Sequence, residues 1–131
     1  MESIKLILIS QAEIYSPENI GIKDILISGE TIIAIADKID ASTLEPFDVW
    51  IIDAKGKRAI PGLIDAHVHI AGAGGEGGPS TRTPEMQLSQ MIVGGITSIV
   101  GCLGTDGVTR KPDSVLMKVK SLKAEGVSAW M

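Results

Sequence analysis

The spacing of apolar and polar positions changes character about half-way along the chain. Over residues 1–60 the apolar runs are short and rich in isoleucine. Residues 6–9, 22–27, 31–36 and 49–53 each read as a strand, because such runs are too short for a helix and partly β-branched. Ser10-Gln11 breaks the first run, and Tyr15-Ser16-Pro17-Glu18-Asn19 is turn chemistry. Ser28-Gly29-Glu30 joins two runs into a β-hairpin, while residues 37–48 read as a polar loop. Past residue 80 the texture becomes helix alternating with strand. Thr83 is a suitable N-cap, Pro84 fits the first helical position, and Glu85 adds negative charge to the first turn. Met86, Leu88, Met91 and Ile92 give that helix an apolar side, and Gly94-Gly95 stops it. Residues 96–103 are apolar nearly throughout, as a strand covered on both faces should be. A second helix starts at Pro112-Asp113, carries Val115, Leu116, Val119 and Leu122 at 3–4 spacing, and ends at Gly126. Residues 127–131 begin a third strand.

Between the two textures lies Pro61-Gly62-Leu63-Ile64-Asp65-Ala66-His67-Val68-His69-Ile70. Alternation along a strand puts Ile64, Ala66, Val68 and Ile70 on one apolar face, fit to lie under helices. Leu63, Asp65, His67 and His69 share the other. The order from here is β-α-β-α-β, the opening of a parallel barrel or an open doubly wound sheet. The predicted fold class is therefore α/β, with a β-rich N-terminal lobe over residues 1–60 and a parallel α/β part over 61–131. Active groups in either parallel architecture belong at the C-terminal ends of the strands. His67, His69, the glycine-dense stretch of residues 72–78, Thr105 and Asp106 all fall there.

Composition narrows the picture. Hydrophobic residues make up 44% of the chain and aromatics only 3%, so the core must be aliphatic. A net charge of -4 with dispersed Lys and Arg offers no basic stripe, which argues against nucleic acid. The single cysteine cannot form an internal disulfide, and Cys102, in an apolar run, reads as a small buried hydrophobe. No run approaches membrane-spanning length and the N-terminal apolar run is no signal peptide, so no membrane partner and a cytoplasmic location are expected.

His67 and His69 on one face of a rigid strand can converge on one metal ion. A bare His-x-His is common and usually binds nothing, but here a glycine loop leaves the end that bears the imidazoles. Gly72-x-Gly74-x-x-Gly77 formally matches a dinucleotide fingerprint. Pro79-Ser80-Thr81-Arg82 intervenes before the helix, and no acid for a ribose follows at the required distance, so the match is rejected. Glu76 reads either as a solvated loop carboxylate or as an anion held to receive a cationic substrate group. Arg82 has the default of a surface charge, and Asp65 and Asp106 that of structural carboxylates.

Pro-Gly-Leu-Ile-Asp-Ala-His-Val-His resembles the metal-binding signature of the amidohydrolase superfamily. The continuation over residues 74–85, with residues 101–106 and 125–131, is similar to the isoaspartyl (β-aspartyl) dipeptidase family within it. The resemblance implies a (β/α)8 barrel behind an N-terminal lobe that is an incomplete sandwich. A barrel of that kind needs about 250 residues, so the chain is expected to be an N-terminal portion that stops in mid-element. It also implies two zinc ions bridged by a carboxylated lysine, and a metal-activated hydroxide attacking the β-amide of a small isoaspartyl dipeptide. Of the ligands, His67 and His69 have counterparts here; no catalytic residue does, so the portion alone is expected to be inactive. Glu76 is implied to take the substrate α-ammonium, and Gly74 and Thr105 its α-carboxylate end. A homo-oligomer is expected at full length. A dihydroorotase- or hydantoinase-like enzyme of cyclic amides stays open as an alternative, as does a non-catalytic fragment or assembly module.

Overall fold

Leucines and isoleucines alternate between two faces from Lys5 onward, and the strand they form, β1 (Lys5–Tyr15), is the spine of the first unit. The computed structural model describes residues 5–131; residues 1–4 of the expected lobe lie outside them. The chain divides into two units, the first ending at Pro61 and the second running from Gly62 to Met131.

In the first unit β1 is joined by β2 (Asn19–Ser28), β3 (Thr31–Ala36), β4 (Asp48–Asp53) and the short β5 (Arg58–Ala59). The order is β3-β2-β1-β4, with β5 also on β1. The expected hairpin is present: Ser28 pairs with Thr31 across Gly29-Glu30. β4 and β5 run parallel to β1. One expectation is corrected: Ser10-Gln11 does not end the first strand. The register moves from Ile9↔Ile25 to Ala12↔Lys23, so β1 takes up one extra residue as a bulge with Gln11 at φ 58°. The buried Asp24 stabilises that bulge by accepting the Gln11 N–H at 2.8 Å and the Ile39 N–H at 2.8 Å. A buried carboxylate is tolerated because main-chain donors satisfy it. The stretch read as a loop contains a 3-10 turn, Ala41–Leu44, whose Leu44 packs with Leu6, Leu8 and Leu26.

The second unit is a three-stranded parallel sheet, β6 (Leu63–Val68), β7 (Ile96–Gly101) and β8 (Ser128–Trp130), in the order β6-β7-β8. Helices α1 (Leu88–Val93) and α2 (Pro112–Ala124) are the crossovers. α2 is as the spacing predicts, with Val115, Val119 and Leu122 buried against Ile99 and Ala129. Leu116, expected in the same stripe, is 41% exposed.

α1 departs from expectation. It starts at Leu88, with Gln87 as N-cap and the Gln90 side chain accepting the Gln87 N–H at 2.8 Å. Thr83 is not its cap, because its hydroxyl and main chain are already bonded to Ala73, the second residue of the glycine stretch. The Met86 N–H also goes back, to Ile70 O at 3.1 Å, which keeps residues 83–87 out of the helix. A helix of six residues covers little, so Ile64 at 73% exposure and Ala66 are not under helices, whereas Val68 and Ile70 are buried.

Candidate active site

β6 ends at Val68 and its pairing is irregular just where the chemistry lies. Asp65 faces Ile99 and Val68 faces Gly101, so three steps on β6 match two on β7. The extra residue falls at Ala66-His67, and a bulge of this kind re-aims a side chain at a strand end. It breaks the strict alternation expected between Asp65 and His67. Asp65 turns to its own chain, accepting the His67 N–H at 3.1 Å.

The two imidazoles remain together. Their ring centres are 5.4 Å apart and the planes meet at 79°. Two imidazole nitrogens at about 2.1 Å from one tetrahedral ion put their ring centres about 5 Å apart, so the spacing fits a shared metal. His69 Nδ1 lies 3.3 Å from the Cys102 carbonyl oxygen. A carbonyl only accepts, so Nδ1 is the donor here and Nε2 is the nitrogen left to face a metal, the arrangement that orients a ligand histidine. Cys102 is partly buried, and its N–H bonds Val68 O at 2.8 Å, tying the end of β7 to that of β6. Among the described residues, no cluster of three or more His, Cys, Asp or Glu is placed to hold a metal. The donor chemistry of the two imidazoles fits a divalent ion.

Gly74, Glu76 and Thr105, distant in sequence, meet beside this pair. Gly74 has φ +79°, and a Cβ there would run into the Thr81 carbonyl, so the loop requires glycine. The Thr105 hydroxyl reaches Gly74 O at 3.2 Å and also the Glu76 carboxylate; its one proton serves one of them at a time. Glu76 is exposed. Its own main-chain N–H, then the Thr105 hydroxyl, hold its carboxyl below the usual range, with a smaller contribution from the nearby His69. Gly75, Glu76, Thr105 and Asp106 line one side of an open groove of about 520 Å³.

Arg82 is no free surface charge. Its Nε sits 3.0 Å from Asp106 Oδ2 and its Nη2 donates to Thr109 Oγ1 at 2.8 Å. Asp106 also accepts the Val108 and Thr109 N–H groups at 3.2 and 2.9 Å. Sequence reasoning missed Thr81 and Arg110. Thr81 accepts the Gly75 N–H at 3.2 Å and donates to Gly78 O at 2.9 Å, and Arg110 donates to two loop carbonyls. An isolated Thr or Arg gives no periodic signal that could have pointed to them.

No family model matches the chain. A dihydroorotase from Elusimicrobium minutum is 42% identical over 72 residues, which is 53% of this chain and 16% of that protein. Among solved structures, D-hydantoinase from Thermus sp. superposes with a TM-score of 0.59 at 26% identity, covering 92% of this chain and 24% of that one. β-Aspartyl dipeptidase from Fervidobacterium islandicum AW-1, solved with a β-Asp-Leu dipeptide, superposes with a TM-score of 0.86 at 45% identity. That match covers 98% of this chain and 33% of the dipeptidase. By fold, strand-end histidines and these matches, the chain is similar to members of the amidohydrolase superfamily, whose (β/α)8 barrels its structural neighbours share. Within that superfamily it is similar to β-aspartyl dipeptidase, as the motifs imply. It spans about a third of the length of that solved relative and about a sixth of the curated dihydroorotase.

Proposed function

We propose that this chain supplies the metal-binding strand and the substrate loop of an enzyme that hydrolyses the β-aspartyl peptide bond of dipeptides. Residues 61–131 open its barrel, and residues 1–60 form a β-rich scaffold with no chemistry of its own. The observation that carries the reading is the meeting of an ionised Glu76 with Gly74 and Thr105 beside the His67–His69 pair. An isoaspartyl dipeptide carries a free α-ammonium and a free α-carboxylate together on its aspartyl Cα, beside the scissile β-amide. Glu76 is a charge-assisted acceptor for the ammonium, and the Thr105 hydroxyl with the open main chain at Gly74 offers donors to the carboxylate. A divalent metal held in part by His67 and His69 supplies Lewis-acid polarisation of the amide carbonyl. The residues of this chain orient the substrate so that the β-amide, and not an α-amide, lies at that end of β6.

The 42% identity to a dihydroorotase favours a second reading, hydrolysis of a cyclic amide. Such a substrate has no free ammonium for Glu76, and that match covers 53% of the chain against 98% for the dipeptidase. One comparison separates the two. In the full-length protein, Glu76→Gln is assayed on β-Asp-Leu and on its N-acetyl derivative. Wild type should strongly prefer the free amine, and the variant should lose about ten- to a hundredfold in kcat/KM on that substrate alone. An unchanged preference would reduce Glu76 to a loop carboxylate, and efficient opening of dihydroorotate would favour the cyclic amide.

A further inference from the structure

We infer that Arg110 is a positioning residue whose guanidinium sets the loop that presents Gly74 and Glu76; this rests on the dipeptide reading of the site. Arg110 lies between β7 and α2, well removed in sequence from the glycine loop. Its Nη1 donates to Ala73 O at 2.9 Å and its Nη2 to Thr83 O at 2.6 Å. Those two carbonyls stand at either end of a strap, residues 73–83, that contains both Gly74 and Glu76. The ends are also bonded to each other: Thr83 N donates to Ala73 O at 2.8 Å, and Ala73 N to Thr83 Oγ1 at 2.9 Å. Arg110 thus closes a neck from which the substrate-facing part of the strap projects.

The space over the neck is made for the guanidinium. Gly72 is buried with φ +89°, and a Cβ there would lie 2.5 Å from Arg110 Nη2 and 2.6 Å from Thr83 O. Among the described residues no carboxylate forms an ion pair with Arg110. Its charge is therefore spent on carbonyl groups, and a rigid planar fork brings a separate nitrogen to each of the two, where an ammonium would have to reach both from one compact nitrogen. The strap is held to the same β7–α2 connection twice more, by Arg82 on Asp106 and by the Thr105 hydroxyl on Gly74 O. Loosening the neck moves the two groups that face the α-ammonium and α-carboxylate of the dipeptide and leaves β6 in place.

Arg110→Ala and Arg110→Lys in the full-length protein test this on β-Asp-Leu, with amide hydrogen exchange over residues 72–83 as a second readout. Arg110→Ala should raise KM about tenfold with kcat within about threefold, as loss of a pair of charged hydrogen bonds outside the reacting centre does. Exchange across the strap should accelerate, millimolar guanidinium should restore both properties, and Arg110→Lys should not. Unchanged KM and exchange in Arg110→Ala would overturn the inference, as would a loss in kcat and KM that guanidinium does not rescue. Glu76→Gln measured in parallel separates the two readings. If it leaves the preference for the free amine unchanged the dipeptide reading fails, whereas guanidinium-restored strap protection still supports the pinned neck.

Discussion

Asp106 collects more partners than any other carboxylate of the second unit: two main-chain N–H groups, the Thr109 hydroxyl and Arg82. The Thr109 hydroxyl and then its N–H contribute most, and they lower the carboxyl from an ordinary 3.8 to about 2. A depressed folded value stabilises above the ordinary value and is lost as pH falls from there through about 2. The Val108 and Thr109 amide resonances should therefore titrate together with a midpoint near pH 2, and remain flat in Asp106→Asn. A midpoint near the ordinary value would show that Asp106 is free in solution. At this scale the closeness of His67 and His69 was legible, because a two-residue spacing is a local property. The roles of Arg82 and Arg110 were not. Each depends on carbonyls or carboxylates more than 20 residues away, which only the tertiary path brings near.

The element that best repaid reading from spacing is α2. Its stripe follows the 3.6 period, and the structure buries three of the four residues it singled out. Leu122→Ala removes a side chain 1% exposed and should cost about 2–5 kcal/mol in urea unfolding. Met117→Ala, at a position 64% exposed on the same helix, should cost under about 0.5 kcal/mol. Equal effects would mean that the helix does not dock as described. α1 resisted the same reasoning. Thr83-Pro84-Glu85 is a sound N-terminal signature, but a cap is only one use of a threonine hydroxyl. Here its bonds to Ala73 compete, and tertiary geometry decides between them. Likewise the polar Ser10-Gln11 pair looked like a strand end, because a bulge stabilised by Asp24 cannot be seen in a hydropathy pattern.

On the scale of the whole chain, two quantities oppose stable and active behaviour of these 131 residues by themselves. The first is apolar surface: Ile64 is 73%, Ile92 64% and Val93 89% exposed in the second unit, and Ile32 57% and Trp50 56% in the first. Surfaces of this kind promote association, so the purified chain should bind a hydrophobic dye and self-associate at micromolar concentration. The second is ligand count. A catalytic zinc site uses three protein ligands and a structural one four, and this chain offers two imidazoles, His67 in β6 and His69 just past its end. Two imidazoles held in a fitting arrangement favour capture of a metal but leave half its coordination to water, so dissociation stays fast. Dialysed against chelator-free buffer, the 131-residue chain should retain well under one zinc per chain. What it does retain should disappear in His67→Ala and in His69→Ala, and hydrolysis of β-Asp-Leu should be undetectable. Stoichiometric zinc with steady turnover by a monodisperse preparation would show that the described residues hold a complete centre, and the two-ligand assignment would have to be abandoned.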